Sequence, residues 1–427
     1  MEQLEVVITG LGLISSLGTG VARNWEEVSK GRSGLALAPG SAETGKPVYD
    51  GRVKEADLPE DLSPKIFNQA KFLNRGGRLA FLAAREAFHM AQWSEMDPPP
   101  RERAMYVATG DMTMVGYDFF YTALKEATGG GFRNIDQIRL NKAAMEKVNP
   151  FYLLESLNNN PFSFLTAFFN FMGPGTSLAS QSPTGSHALE LAYRSILTGR
   201  SKVAMAIGSG SWVGDIPVFE LEGLGLLSHG RKGIRSYRPF NAKRDGFLTG
   251  EGGAALVLET LADAQARGAR IYGRIIGVGN TTQSPPRLNV PAQVTLKSMK
   301  EALKEGGCLP QDLGFICPHG SGTIKGDRSE MLSLSTFLGS SSKEVPICAL
   351  KAYTGHMGAA SDLGEVILCL LAMNQGLVPG TFNFETPEPS FSSLRISSQS
   401  QSCTQPRFLS VSYGLGGQAS AVLIEQG

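Results

Sequence analysis

A strand–turn–helix unit occurs twice in this chain, once in each half. The first unit, at 178–207, runs from a turn of small residues into a helix whose apolar side chains recur at helical spacing, and an apolar strand follows. The second unit, at 345–370, begins with an apolar strand, passes through the turn KAYTGH and continues as a helix. Strands and helices that alternate in this way bury their apolar faces against each other, so the pattern predicts an α/β fold.

The two units lie on either side of a charged helical segment, TLADAQARGAR, which separates two apolar strands within 258–270. A duplication about this midpoint predicts one fold built twice, with an N-terminal half at 1–260 and a C-terminal half at 261–427, and not two independent domains. The apolar fraction of 42% and the charged fraction of 19% are those of a globular protein with ample core.

Further elements are predicted in the N-terminal half. Residues 5–9 form a short apolar strand that enters a turn at Gly10–Gly12, and residues 78–90 have the apolar spacing of a helix. A buried strand is predicted at 104–109. The Phe-rich stretch 161–172 is interpreted as core in preference to a pocket lining, because large apolar residues are mostly core residues.

Charge and hydropathy exclude several classes of protein. The formal net charge of +1 gives no field that would hold a polyanion, so a dedicated nucleic-acid binder is not expected. The start of the chain lacks the basic region of a signal peptide, and no apolar stretch approaches the roughly 18 residues of a spanning helix. We therefore expect a cytoplasmic protein without a membrane span.

The cysteines all lie in the last third of the chain and include no CxxC pair. They are Cys308, Cys317, Cys348, Cys369 and Cys403. An odd number with irregular spacing is typical of reduced, mostly buried thiols, and we expect neither a disulfide framework nor a metal site.

A small-residue turn precedes the helix of the first unit. Pro183 fits the first turn of a helix, because its missing N–H is not needed there. Ser182 is then placed at a helix N-terminus, where free amides and the helix dipole favour developing negative charge.

Five segments stand in a fixed order along the chain. They are the turn at Ser182, RPFNAKRDGFLTGEGGAALVLE at 238–259, PHGSGTIKGDRSE at 318–330, LKAYTGHMGAASDLGE at 350–365 and SYGLGGQAS at 412–420. With the opening VVITGLGLISSLGTGVARNWEEVSKGRSG, they resemble the β-ketoacyl-acyl-carrier-protein synthase family of the thiolase superfamily over essentially the whole chain. The resemblance implies a thiolase-like α/β fold, a duplicated five-layer αβαβα arrangement with two mixed sheets.

The resemblance also implies roles for individual residues. His319 and His356 match the two active-site histidines, and Lys351 matches the lysine five residues before the second histidine. Asp327 and Glu330 match the acids that follow the first histidine. The glycine-rich loop that helps to form the oxyanion hole is matched by Gly414, Leu415, Gly416 and Gly417. Two imidazole N–H donors would stabilise the enolate that forms when a malonyl thioester loses carbon dioxide.

The sequence departs from the family pattern at the nucleophile, because the family's cysteine falls on Ser182. A thiol has a pKa of about 8.5 and a hydroxyl resembles water, near 15.7, whereas a helix N-terminus contributes at most about 2 kcal/mol. Ser182 would need a general base, and His319 or His356 could serve only by giving up the enolate-stabilising role. Leu415 also stands where the family has an aromatic gate. We therefore expect no ordinary elongation cycle.

The substrate implied by the resemblance is an acyl or malonyl group on the phosphopantetheine of a carrier protein, and no cofactor bound to the chain itself is expected. Candidate docking residues for the acidic carrier are Arg231, Lys232 and Arg235, and candidate substrate contacts are Met112, Met114 and Thr354. The resemblance also implies a dimer, either of two identical chains or with a cysteine-containing ketosynthase.

Three functions in fatty acid or polyketide biosynthesis remain open, and the resemblance together with the serine at position 182 favours the first of them. The chain is a non-elongating partner of the chain-length-factor type, or it decarboxylates malonyl-carrier protein, or Ser182 is a working nucleophile of an acyltransferase or unusual ketosynthase. Decarboxylation needs the histidines and not the thiol, so the second function explains best why His319 and His356 are present.

Overall fold

The computed structural model describes residues 4–41, 47–93, 98–110, 117–148, 150–152, 154, 157–179, 183–283 and 290–427. The strands are β1 (Val6–Ser15), β2 (Gly18–Thr19), β3 (Ala36–Leu37), β4 (Tyr49–Asp50), β5 (Arg103–Thr109), β6 (Gly175–Ala179), β7 (Val203–Ser211), β8 (Glu251–Thr260), β9 (Gly273–Thr282), β10 (Phe315–Cys317), β11 (Pro346–Ile347), β12 (Leu377–Val378), β13 (Arg395–Ile396), β14 (Gln401–Ser402), β15 (Arg407–Tyr413) and β16 (Gln418–Gln426). The α-helices are α1 (Val21–Ser29), α2 (Pro64–Ala70), α3 (Arg75–Ala91), α4 (Tyr117–Ala127), α5 (Gln137–Lys147), α6 (Asn160–Phe169), α7 (Thr184–Leu197), α8 (Asp215–Gly223), α9 (Leu261–Ala266), α10 (Leu296–Gly306), α11 (Ile324–Leu338), α12 (Lys351–Thr354) and α13 (Ala359–Asn374). Within these ranges, none of the helices is long and apolar enough to cross a membrane.

The same strand order occurs twice. In the first half the order across the sheet is β6-β5-β7-β8-β1, and in the second half it is β11-β10-β15-β16-β9. In both halves the first three strands are parallel and the last two pair antiparallel to their neighbours. The duplicated α/β fold predicted from the sequence is therefore confirmed, and α9 separates the two copies.

A short pairing joins the two half-sheets. Three residues of β1, 6–8, pair antiparallel with residues 273–275 of β9. The two mixed sheets expected from the resemblance are present as halves of one continuous twelve-stranded sheet in the described part of the chain.

Helices cover both half-sheets and fill the space between them. Helix α3 packs on β1, β7 and β8, and α10 packs on β9 and β16. Helices α7 and α13 contact each other, and each contacts strands of both halves. Helix α13 is apolar and buried along nearly its whole length, as a helix between two sheets must be. This order of layers is the expected αβαβα arrangement.

Most predicted elements are present in the structure. The helix at 78–90 is part of α3, and the strand at 104–109 is β5. The Phe-rich stretch contributes α6, whose Phe164 packs edge-on against Phe81, so the core interpretation holds. The strand predicted at 345–350 is shorter in the structure, where β11 covers only Pro346–Ile347. The N–H of Ala349 donates to the hydroxyl of Thr381 and so is not used for pairing with a neighbouring strand.

The turn predicted at Gly10–Gly12 was wrong, because β1 continues through both glycines to Ser15. A Cβ at Gly10 would lie 2.3 Å from the carbonyl oxygen of Ala87, and one at Gly12 would lie 1.9 Å from that of Ala83. The glycines thus allow the backbone of α3 to lie directly on the strand.

We expect Gly12→Ala to lower the free energy of unfolding by about 1–3 kcal/mol, because the added methyl group must push α3 off the sheet. The measurement is denaturant unfolding at equal protein concentration. The control is Gly223→Ala, since nothing lies within 4 Å of a Cβ added at that exposed position. Equal unfolding midpoints for the two variants would contradict the expectation.

Candidate functional site

The two predicted histidines lie together in the interior. The ring centroids of His319 and His356 are 5.2 Å apart, and both side chains are buried. Both line a cavity of about 60 Å³ whose other walls include Trp212, Phe247 and Tyr413. An apolar wall around two imidazoles excludes water and strengthens any hydrogen bond that they make.

His319 is held by a carboxylate that binds the backbone. The residue follows β10 by two positions, and Glu330 on α11 accepts the N–H of His319 and the N–H of Gly320, each at 2.8 Å. Burial raises the pKa of Glu330 to about 8, although these two backbone donors act in the opposite direction. Glu330 therefore positions the loop that carries the first histidine.

Asp327 holds the same loop to the RPFNAKRDGF segment. Its carboxylate accepts the N–H of Gly322 at 2.8 Å and the N–H of Phe240 at 2.7 Å, and Arg244 lies 3.7 Å away. Burial raises the pKa of Asp327 against these favourable contacts. Both predicted acids therefore bind backbone amides, and neither of them lines the cavity.

His356 is fixed between two backbone hydrogen bonds and two rings. The backbone N–H of His356 donates to the carbonyl of Leu248, and its backbone carbonyl accepts the N–H of Gly250, both at 2.9 Å. The imidazole stacks on Trp212 with centroids 4.6 Å apart and lies 5.0 Å from the ring centroid of Phe247. The ring therefore has little freedom to rotate.

The turn after His356 packs backbone to backbone against two other elements. A Cβ at Gly110, after β5, would lie 2.4 Å from the amide nitrogen of Ala359. A Cβ at Gly185, in the first turn of α7, would lie 2.2 Å from the carbonyl oxygen of Ala359. These contacts bring the start of α7 directly against the start of α13.

Hydrogen bonding and burial define the protonation of the two imidazoles. Nδ1 of His356 accepts the N–H of Gly358 at 3.2 Å, so a neutral ring carries its proton on Nε2. Nδ1 of His319 has no hydrogen-bond partner among the described residues. Burial, and then the charge of Lys351, lowers the pKa of both histidines well below the usual imidazole value. Near neutral pH the site therefore contains two neutral rings, each with one N–H to donate.

The charge of Lys351 is maintained by a carboxylate. Its Nζ donates to Oε2 of Glu365 at 2.6 Å, and the ammonium is fully buried. Burial opposes the charge, yet Glu365 and Asp362 together raise the pKa of Lys351. Sequence reasoning assigned no role to Glu365, although it stands within the motif at 350–365.

Of the other predicted site residues, the structure describes only some, and only some of these line the cavity. Ser182, Met112 and Met114 lie outside the described residues. The hydroxyl of Thr354 donates to the carbonyl of Gly355 at 2.9 Å, and the side chain is not among those that line the cavity. In the glycine-rich loop, Gly414 and Leu415 line the cavity, and Gly416 and Gly417 form the β15–β16 turn at φ of 99° and 83°.

Two of the predicted docking residues line a second cavity. This cavity has a volume of about 280 Å³ and is also lined by Arg238, Asn383 and Glu385, beside Lys232 and Arg235. Arg238 is only 9% exposed, and its Nε has no hydrogen-bond partner among the residues described. Arg231 lies on the exposed surface beside them.

Sequence reasoning missed the aromatic walls of the site. Trp212 directly follows β7, and Tyr413 ends β15. The carboxyl ends of parallel strands meet at one edge of a sheet, where ligands bind. An aromatic residue at the end of a predicted strand could therefore have indicated a wall of the site.

Three cysteines that are distant in sequence meet in the core. The sulfur atoms of Cys317, Cys348 and Cys369 all lie within 4.8 Å of one another. Three thiols could in principle hold a thiophilic metal ion as thiolates. Burial raises the pKa of Cys369, whereas hydrogen bonds from Cys317 and Cys369 lower the pKa of Cys348 to about 6. All five cysteines are unpaired, and four of them are buried.

Comparison with known proteins places this architecture in a family. Residues 3–264 match the model of the β-ketoacyl synthase N-terminal domain, and residues 269–385 match that of the C-terminal domain. A 3-oxoacyl-[acyl-carrier-protein] synthase 2 of Staphylococcus aureus is 26% identical over 427 residues, which cover 99% of this chain and 98% of that protein.

Two solved structures match over the full length of both chains, each at 25% identity and a TM-score of 0.83. One is a type II polyketide ketosynthase (AntDE:AntF) in complex with its acyl-carrier protein and bound to the hexaketide. The other is the ishigamide ketosynthase/chain length factor.

We expect His319 and His356 to remain neutral at pH 6.5, where an ordinary imidazole is about half protonated, because burial and the charge of Lys351 lower the pKa of both rings. The measurement is a pH titration of the ring nitrogens by NMR with labelled histidine. Only five histidines contribute signals, and His319→Ala and His356→Ala assign two of them. Protonation of either ring near pH 6.5 would be the contrary result.

Proposed function

The chain belongs to the β-ketoacyl synthase family, and within that family we propose that this protein removes carbon dioxide from malonyl-carrier protein without elongating an acyl chain. The observation that carries the proposal is the pair of buried, neutral imidazoles at one cavity, with Nδ1 of His319 unpartnered among the described residues. A buried polar atom without a partner is destabilising, and an Nδ1–H of His319 that donates to a substrate oxygen would relieve that penalty.

The reaction needs what this pair of histidines can supply. Loss of carbon dioxide breaks the bond between the malonyl carboxylate carbon and C2, and the electron pair moves onto the thioester oxygen as an enolate. Neutral N–H donors from His319 and His356 stabilise that charge. C2 then takes a proton from water, and an acetyl thioester remains. No covalent bond to the protein is formed at any step.

Elongation, by contrast, needs a nucleophile that accepts the acyl chain. The family's cysteine falls on Ser182 in our alignment of the motifs, and a hydroxyl does not ionise near neutral pH. The nearest cysteine in the chain is Cys308, more than a hundred residues away. If either histidine acted as the base for Ser182, that imidazole would no longer be free to stabilise the enolate.

A second candidate is a non-catalytic partner subunit of the chain-length-factor type. It is favoured by the match over the full chain to the ishigamide ketosynthase/chain length factor. In this alternative the chain pairs with a cysteine-containing ketosynthase and shapes the space available to the growing product. Such a subunit releases no carbon dioxide of its own, and that difference separates the two functions.

We also propose that the carrier protein docks at the second cavity. Lys232, Arg235 and Arg238 bring three cations together, against the single carboxylate of Glu385. Arg238 lies in the RPFNAKRDGF segment, and its buried Nε, which has no hydrogen-bond partner among the described residues, favours an anion in this place. The phosphate of the carrier's phosphopantetheine is such an anion, and exposed Arg231 adds positive charge at the rim. The pathway is fatty acid or polyketide biosynthesis in the cytoplasm.

The sheet ends in a strand that suits a dimer interface. Strand β6 is the last in the order, and its five residues are exposed or half-buried. An uncovered edge strand tends to pair with another chain, and Met172 just before it is 67% exposed. We propose that β6 lies at a dimer interface, with a second copy or with a related ketosynthase.

We expect a dimer by light scattering at micromolar concentration. Met172→Asp should weaken it, because a charge buried at the interface loses its hydration. Phe219→Asp is the matched control, since Phe219 is 77% exposed and lies on α8, outside the sheet. A monomer in the unaltered protein, alone and with a candidate partner, would be inconsistent with the proposal.

We expect slow release of carbon dioxide from malonyl-carrier protein, and no β-ketoacyl product when acyl-carrier protein is added. His319→Ala should lower the rate by about 10²–10³-fold, the usual effect of losing one oxyanion donor. Ser182→Ala should leave the rate nearly unchanged. His89→Ala is the control, because this histidine is exposed on α3.

The other outcomes point to the other functions. If the unaltered protein releases no carbon dioxide, alone or with a ketosynthase partner, the architectural role of a chain-length factor is the better account. If a β-ketoacyl product forms and Ser182→Ala abolishes it, the serine is a nucleophile and the proposal is wrong.

A further inference from the structure

Among the described residues that line the cavity of the two histidines, Tyr413 carries the most acidic proton. The titratable side chains in this lining are His319, His356 and Tyr413. In the proposed reaction the two neutral imidazoles donate hydrogen bonds to the thioester oxygen, and a neutral imidazole is a much weaker acid than a phenol. Serine and threonine hydroxyls resemble water and hold their protons more tightly still. The protonation of C2 therefore calls for the phenol.

Tyr413 lies beside the first histidine. It ends β15, it is only 4% exposed, and its ring centroid is 4.5 Å from that of His319. In an enolate, the oxygen and C2 are bonded to the same carbon atom. An enolate whose oxygen is bound by His319 therefore holds C2 close to that histidine, and the phenol on the adjoining wall is a neighbour of the carbon that must be protonated.

The hydroxyl of Tyr413 belongs to a group of three hydroxyls on this wall. It lies 3.2 Å from the hydroxyl of Ser321, which in turn lies 2.8 Å from that of Thr323. Ser321 and Thr323 line the same cavity. Packing holds the phenol in place, because a Cβ at Gly326 would lie 2.3 Å from its oxygen. Hydroxyl groups both donate and accept, so these partners can turn an O–H bond toward a phenolate once the proton has left.

The surroundings of Tyr413 keep the phenol protonated before the reaction. Burial, and then the charges of Glu330 and Asp327, raise the pKa of Tyr413 well above its ordinary value of about 10. An enolate carbon is a far stronger base than a phenolate, so transfer of the proton to C2 is still favourable. The phenolate then persists only until water returns a proton to it.

We propose that Tyr413 is the catalytic acid of the decarboxylation, the residue through which C2 receives its proton from water. The O–H bond of Tyr413 breaks, and the electron pair of the enolate forms the new C2–H bond. The phenolate that remains takes a proton from water, so the overall reaction still consumes one proton from the solvent. The inference rests on the proposed function, because it needs an enolate at the two histidines.

The test separates formation of the enolate from its protonation. Malonyl-carrier protein is incubated with the protein and ¹³C-labelled carbon dioxide, and mass spectrometry follows both the acetyl product and the entry of label into the malonyl carboxylate. An enolate that is not protonated can recapture carbon dioxide. The unaltered protein should form acetyl product with little entry of label. Tyr413→Phe should lower the rate of acetyl formation by about 10²-fold, the lower end of what a positioned acid contributes, and entry of label should rise.

The matched control is Tyr237→Phe. Tyr237 is fully buried, its hydroxyl donates to the carbonyl of Gly320 at 3.4 Å, and it is not among the residues that line the cavity. This variant should change neither quantity. Acetyl formation at the unaltered rate in Tyr413→Phe would overturn the proposal. A loss of acetyl formation without entry of label would also overturn it, because a merely damaged site gives that result.

A second variant decides if Tyr413→Phe does not fold, as judged by circular dichroism. Tyr413→3-fluorotyrosine keeps the ring and the hydroxyl but is a stronger acid. The fraction of deuterium that the acetyl group takes from an equal mixture of H₂O and D₂O should therefore change, and an unchanged fraction overturns the proposal.

The outcomes also distinguish this inference from the proposed function. If the unaltered protein forms no acetyl product and takes up no label, the decarboxylase function is wrong, and Tyr413 has no enolate to protonate. If the unaltered protein forms acetyl product and Tyr413→Phe behaves in the same way, only the role of Tyr413 is wrong.

Discussion

Lys351 and Glu365 meet at the centre of the molecule, where an unpaired charge would be strongly destabilising. Removing one partner of such a pair typically destabilises a protein by about 3–5 kcal/mol. The pair connects α12 to α13, so it closes the turn that carries His356. Burial, and then the charge of the same ammonium, lowers the pKa of both imidazoles. The pair thus stabilises the core and contributes to the protonation of the candidate active site.

The carboxylates around the site act mainly on the backbone. Glu330 and Asp327 bind amides of the loop that carries His319, and Asp362 binds an amide at the start of α7. Buried carboxylates with backbone donors fix loops that otherwise lack regular hydrogen bonds. The cavity is lined by two imidazoles, aromatic rings, aliphatic side chains, two hydroxyl side chains and part of the glycine-rich turn. Imidazole and backbone N–H groups are suited to stabilising a negative oxygen.

Local sequence patterns were sufficient to predict helices and strands, but not which of them pack against each other. Apolar spacing predicted α3, β5 and the helix of the first unit, and the motif resemblance predicted that His319 and His356 lie together. The extension of β1 through Gly10 could not be predicted, because it depends on α3 lying on the strand. Glu365 and the aromatic walls depend likewise on contacts between segments that are distant in sequence. Local spacing carries no information about which distant segments meet.

The repeated strand order relates the two helices that meet at the site. Helix α7 follows β6, the first strand in the order of its half-sheet, and α12 and α13 follow β11, the first strand in the order of theirs. The starts of α7 and α13 are therefore equivalent positions in the two copies, and they touch at Gly185 and Ala359. The candidate active site thus lies where two copies of one structural unit face each other. One copy contributes the helix that follows the predicted nucleophile position, and the other contributes the two histidines and Lys351. A single half of this fold would lack the residues that the other half contributes, so the candidate active site requires both copies.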